Sequence, residues 1–157
     1  MTAVLTSSSG HAHPAHALWN PSAAANWSIL FTPAFGSYVQ MLNWQELGES
    51  ERAAQSRKWF YASLLMLVVY AVGPVFLGMH EAAEFGLKLL VVAYLATWYF
   101  ASGRTQITYL RNQFADEYPH KRWGKPLLYA AGAVLALFSA NLLIGVLAGL
   151  ARAITGA

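Results

Sequence analysis

The chain has 157 residues, of which 57% are apolar and only 11% charged. Ordinary globular chains carry about 25% charged residues, and a chain this short could not hide so much apolar surface in a core of its own. The composition excludes a soluble enzyme, a disordered protein and a nucleic-acid binder, and points to a compact all-α membrane protein. Its formal charge of +3 comes from basic residues beside apolar runs, the pattern of membrane orientation. With no Cys, disulfides, thiolate metal sites and thiol nucleophiles are excluded.

Residues 1–26 are rich in Ser, Ala, His and Pro without periodicity, and read as a flexible tail. They contain no basic n-region followed by an apolar stretch, so no secretory signal is expected there. His11, His13 and His16 form an H-x-H-x-x-H cluster that could bind Zn, Ni or Cu. Without a nearby carboxylate, a floppy tail with incidental metal affinity is the plainer reading, and no cofactor is expected.

The membrane domain then covers 27–157. In its first stretch, 27–48, Thr32 can cap a helix that begins at Pro33 and ends at Gly48. At 100° per residue, Ala34, Phe35, Tyr38, Val39, Met41 and Leu42 fall on one side and Gly36, Ser37, Gln40 and Asn43 on the other. The segment is too short and polar to span, which predicts an amphipathic interfacial helix. Its polar face lacks Lys and Arg, so docking on protein is favoured over lying free on lipid. Ser50 opens a short helical lead-in, with Glu51 in its first turn and Arg57 and Lys58 before the next apolar run.

Three runs follow, at 60–79, 85–102 and 127–150, with Lys88 as their single charge. At about 1.5 Å per residue each reaches roughly 27–36 Å, enough for a hydrocarbon core of about 30 Å. Since only helices satisfy their own backbone in lipid, three transmembrane helices are predicted. Trp59, Tyr61, Trp98, Tyr99, Trp123 and Tyr129 lie near one set of ends as an aromatic belt. Arg52, Arg57, Lys58, Arg104, Arg111, Lys121, Arg122 and Lys125 share one side, against Arg152 on the other. That imbalance predicts a cytoplasmic N-terminus, a cytoplasmic 103–126 loop and a C-terminus outside. Within the loop, ITYLRNQFADEY should continue the second helix until Pro119 stops it.

Several residues could carry chemistry. His80-Glu81-Ala82-Ala83-Glu84 is a zincin motif with Glu in place of the second His. The plainer reading is a polar turn, with Glu84 and Lys88 as an i,i+4 pair. Lys88 lies one turn inside the membrane, where a charge is by default functional, yet near enough to the end to snorkel. Asn141 is the most polar residue at depth and could hydrogen-bond across helices. Gly145-x-x-x-Gly149, with Gly132, Ala136 and Ala140, forms a small-residue seam for either internal packing or a homo-oligomer. Pro74 after Gly73 should kink the first span. The chain has no phosphate-binding Gly loop, no Ser/His/Asp set and no carboxylate deep in a span.

The run Asn26-Trp27-Ser28-Ile29-Leu30-Phe31-Thr32-Pro33-Ala34-Phe35-Gly36, with Trp44 and TWYFASGRTQITYLR, resembles small uncharacterised bacterial polytopic inner-membrane proteins over residues 26–113. The resemblance implies the bacterial inner membrane and carries over no catalytic residue. The expected function is non-catalytic, through binding to another protein, for example as an immunity protein against a membrane-targeting toxin. The alternative is an oligomeric channel or transport subunit built around Asn141, Lys88 and Pro74. The expected partners are the lipid bilayer and a protein, with no nucleic acid.

Overall fold

The computed structural model describes residues 17–76, 80–115 and 117–155. The regular elements are all helices: α1 (Pro21–Glu46), α2 (Ser50–Phe76), α3 (Glu81–Trp98), α4 (Arg104–Phe114) and α5 (Gly124–Thr155). A π-helical turn at Tyr99–Gly103 joins α3 to α4 without a break. No strand forms among the described residues, and one bridge pairs Leu18 with His120.

The first helix starts earlier than its composition suggests. Asn20 Oδ1 accepts hydrogen bonds from the backbone N–H of Ser22 and Ala23, and Pro21 occupies the first turn, so 21–26 are helix rather than tail. α1 is not straight. At Thr32 the backbone takes φ 76 and ψ 160, and Pro33 brings no N–H to continue the ladder. The chain doubles back there. Trp19 N–H donates to Asn43 Oδ1 at 3.0 Å and Asn43 Nδ2 donates to Trp19 O at 2.8 Å, across a separation that an unbroken helix would stretch to about 36 Å. The expected start at Pro33 and end near Gly48 describe the second limb of this hairpin, and Gly48 adopts the positive φ of 75 that suits glycine. Thr32 is no ordinary N-cap, because its backbone has left the extended region and its buried Oγ1 has no partner.

Burial departs from that of a water-soluble helix bundle, because polar side chains share the interior and large apolar ones face outward. Ser28, Ser37, Gln40, Asn43, Ser56, Ser63, Ser102 and Gln106 are buried, while Ile29, Leu65, Val92, Leu135 and Phe138 are exposed. The second limb does dock on protein, as expected, but with Ser37, Gln40 and Asn43 inward and Tyr38 outward. In lipid an outward apolar side chain loses nothing, whereas inward amides and hydroxyls can find partners.

α2 and α3 run antiparallel. Ser63 Oγ and Tyr94 OH are 3.0 Å apart and the Trp59 and Tyr94 rings 5.8 Å apart, while Ser56 and Ser102 line one crevice nearer the other end. The lead-in from Ser50 is continuous with α2. α4 ends at Phe114, before Pro119, because Ala115 turns left-handed at φ 50 and donates its N–H to Arg111 O. Leu18, Leu110, Phe114 and Tyr118 form a small apolar core beneath the hairpin. Backbone bonds from Leu18 N–H to Pro119 O and from Lys121 N–H to Leu18 O close it. α5 touches α1 and α2, yet none of its described side chains is buried. Among the described residues two helices are long and apolar enough to cross a membrane, the continuous Glu81–Phe114 rod and Gly124–Ile154.

Candidate functional site

The densest polar region lies where the second limb of α1 meets the π-turn. A π-turn inserts an extra residue into the helix and re-aims the side chains around it. Here Ser102 Oγ donates to Gln40 Oε1 at 2.8 Å. One turn on, Gln106 Nε2 donates to Gln40 O at 3.0 Å, and Asn43 Nδ2 reaches Gln106 Oε1 at 3.2 Å. Trp98, fully buried, lies over Gly36, where an added Cβ would stand 2.5 Å from its ring and would strike Ser28 Oγ. The donors Gln40 Nε2 and Trp98 Nε1 are buried without a hydrogen-bond partner. All of these groups are neutral, so the centre can position helices and bind polar groups but holds no acid, base or activated nucleophile.

Beside this centre an open groove of about 530 Å³ runs between the start of α2 and the face of α4. Arg52, Phe100, Arg104, Thr105, Thr108, Tyr109, Asn112 and Gln113 line it. A smaller crevice of about 70 Å³ shares Arg52 and Thr105 and leads inward to Ser56 and Ser102. Arg52 is held in place from several sides. Its guanidinium lies 4.9 Å from the Trp44 ring centroid and 4.5 Å from that of Tyr109, and its Nε is 3.7 Å from Glu49 Oε2. Tyr109, on polar α4 beyond the apolar stretch, donates its hydroxyl to Glu49 Oε1 at 3.1 Å. Burial, reinforced by that bond and the Glu49 charge, pushes the Tyr109 phenol above its ordinary range, so it remains a neutral donor at physiological pH. Arg104 is exposed and makes no ion pair among the described residues.

The residues singled out from sequence are not brought together. His11, His13 and His16 lie outside the described residues, among which no three His, Cys, Asp or Glu could hold a metal ion. Glu81 and Glu84 occupy the first turn of α3, where His80 O accepts the N–H of Ala83 and of Glu84. The anticipated Glu84–Lys88 ion pair does not form; Lys88 is exposed and Glu84 half-buried. Pro74 sits inside α2, half-buried. Asn141 Nδ2 donates to Leu137 O of its own helix at 3.3 Å instead of reaching across to another. No described residue comes within 4 Å of a Cβ placed on Gly132, Gly145 or Gly149, so the described helices do not pack against the seam at these glycines.

Sequence reasoning missed Arg52 and Arg104 as site residues, having used them only for orientation. Arg104, Thr108 and Asn112 recur every fourth residue, a spacing that marks one face of a helix and could have revealed half of the groove. Comparison with family models, with curated proteins and with solved structures finds no match.

Proposed function

We propose that the chain is a multi-pass protein of the bacterial inner membrane that acts without catalysis, by binding another protein within the bilayer. In this reading it crosses three times, at about 60–79, 85–102 and 127–150, with its N-terminus cytoplasmic and its C-terminus periplasmic. The α1 hairpin dips in from the cytoplasmic side and returns. Its limbs of 11 and 14 residues reach roughly 16 and 21 Å, too short to span, and the non-helical Thr32 backbone is tolerated where neighbouring protein surrounds it.

The observation that carries the binding role is the bareness of α5. Helices associate in lipid through close van der Waals packing of small residues. Gly132, Gly145 and Gly149 offer that packing, and among the described residues nothing comes within 4 Å of the place where their Cβ would stand. Protection of a producing cell from a toxin that acts at the membrane is one concrete form of this role, with the 80–84 turn and α5 as the surfaces such a toxin would meet.

Photo-crosslinking from position 149 in living cells tests the reading. A discrete adduct is expected, and it should vanish when Gly145 is changed to Leu but persist in Leu142→Ala. An adduct at twice the mass of the chain would identify a second copy as the partner. A ladder of unrelated products, or none, would overturn the proposal.

A further inference from the structure

We infer that the groove between α2 and α4 binds the phosphate of an anionic phospholipid headgroup. This rests on the membrane reading above and adds a ligand to it. Two guanidiniums, Arg52 and Arg104, face the groove from opposite helices, and planar guanidinium groups match phosphate oxygens with paired donors. Thr105, Thr108 and Asn112 add neutral donors along the same wall. Among the described residues no acidic side chain lines the groove. The Glu49 carboxylate, which touches two of the lining side chains, is engaged by Arg52 and by the Tyr109 hydroxyl. Stacking on Trp44 and Tyr109 fixes Arg52 in advance, so less side-chain entropy is lost when a ligand arrives.

The position of the groove selects a lipid over a free anion. Its lining on the rod starts at Phe100 and continues along polar α4, which the membrane reading, with its span ending near 102, puts at headgroup depth. At that end stands Phe100, 65% exposed, an apolar surface for the start of an acyl chain. A free phosphate would have no use for it.

The test uses the full chain in a neutral detergent, titrated with phosphatidylglycerol or phosphatidylcholine and followed by thermal unfolding and native mass spectrometry. Phosphatidylglycerol should raise the midpoint and stay bound, and phosphatidylcholine should do so far less. Arg104→Gln should weaken phosphatidylglycerol about tenfold, the loss of one charge-assisted bond. Arg111→Gln, exposed on the same helix outside the groove, should leave it unchanged. Thr108→Val provides a second, milder variant if Arg104→Gln folds poorly, and it should weaken binding in the same direction. Phe100→Ser should also weaken binding, and millimolar inorganic phosphate should not displace the lipid. Equal losses in Arg104→Gln and Arg111→Gln would overturn the site. Displacement by inorganic phosphate, with Phe100→Ser indifferent, would overturn the lipid as its ligand. Failure of the membrane reading itself would look different, since the chain would then stay monodisperse without detergent.

Discussion

Thr32 holds a backbone conformation that belongs almost entirely to glycine, with φ 76 and ψ 160. Such strain costs about 1–3 kcal/mol, and glycine would bring back about 0.5–1 kcal/mol of entropy loss. Thr32→Gly, which also removes a buried hydroxyl without a partner, is therefore expected to raise the unfolding midpoint in detergent; a lowered midpoint would refute the strained turn. Gly36→Ala should act in the opposite sense. Its new methyl would meet the rigid, fully buried Trp98 indole at 2.5 Å, and overpacking of this kind costs about 1–3 kcal/mol. A second change, Trp98→Leu, should recover part of that loss, because neighbouring substitutions couple. Full additivity in that double variant would refute the contact.

At the scale of whole helices, the apolar runs at 85–102 and 127–150 were legible because length and uninterrupted hydropathy suffice for a helix in lipid. The hairpin was not. Its second limb could be read from Pro33 and Gly48, but the reversal depends on Asn43 reaching Trp19, a contact 24 positions apart that no local pattern announces. Which face turns inward was not legible either. The 100° pattern separates an apolar from a polar side without saying which one docks, and Ser37, Gln40 and Asn43 turn inward, where the hydrogen bonds are. The groove was half legible: Arg104, Thr108 and Asn112 share a face, but only the antiparallel pairing of α2 with the α3–α4 rod sets Arg52 opposite them. Spin labels at the exposed positions 22 and 45 test the hairpin. Their separation should fall well below the roughly 35 Å that an unbroken helix would impose; a value near that length would mean α1 is straight.

For the molecule as a whole, buried hydroxyls and amides share the interior with Trp98, Val39 and Leu110 while many large apolar side chains face outward, and the basic residues of α2, α4 and the loop before α5 gather at one end. That end is expected in the cytoplasm. A periplasm-active reporter fused after Ala157 should therefore be active, while one inserted before Trp19 should be silent. Activity of a cytosolic reporter at Ala157 would reverse the orientation or remove one crossing.

Leu18 is clasped by Pro119 and Lys121, and the Trp19 indole N–H donates to Arg122 O, 103 positions further along the chain. During synthesis the α1 hairpin must therefore wait, unlatched, until residues 119–122 have left the ribosome, some hundred positions after its own first turn. A message truncated before codon 119 would yield a chain in which Leu18 and Trp19 never lock.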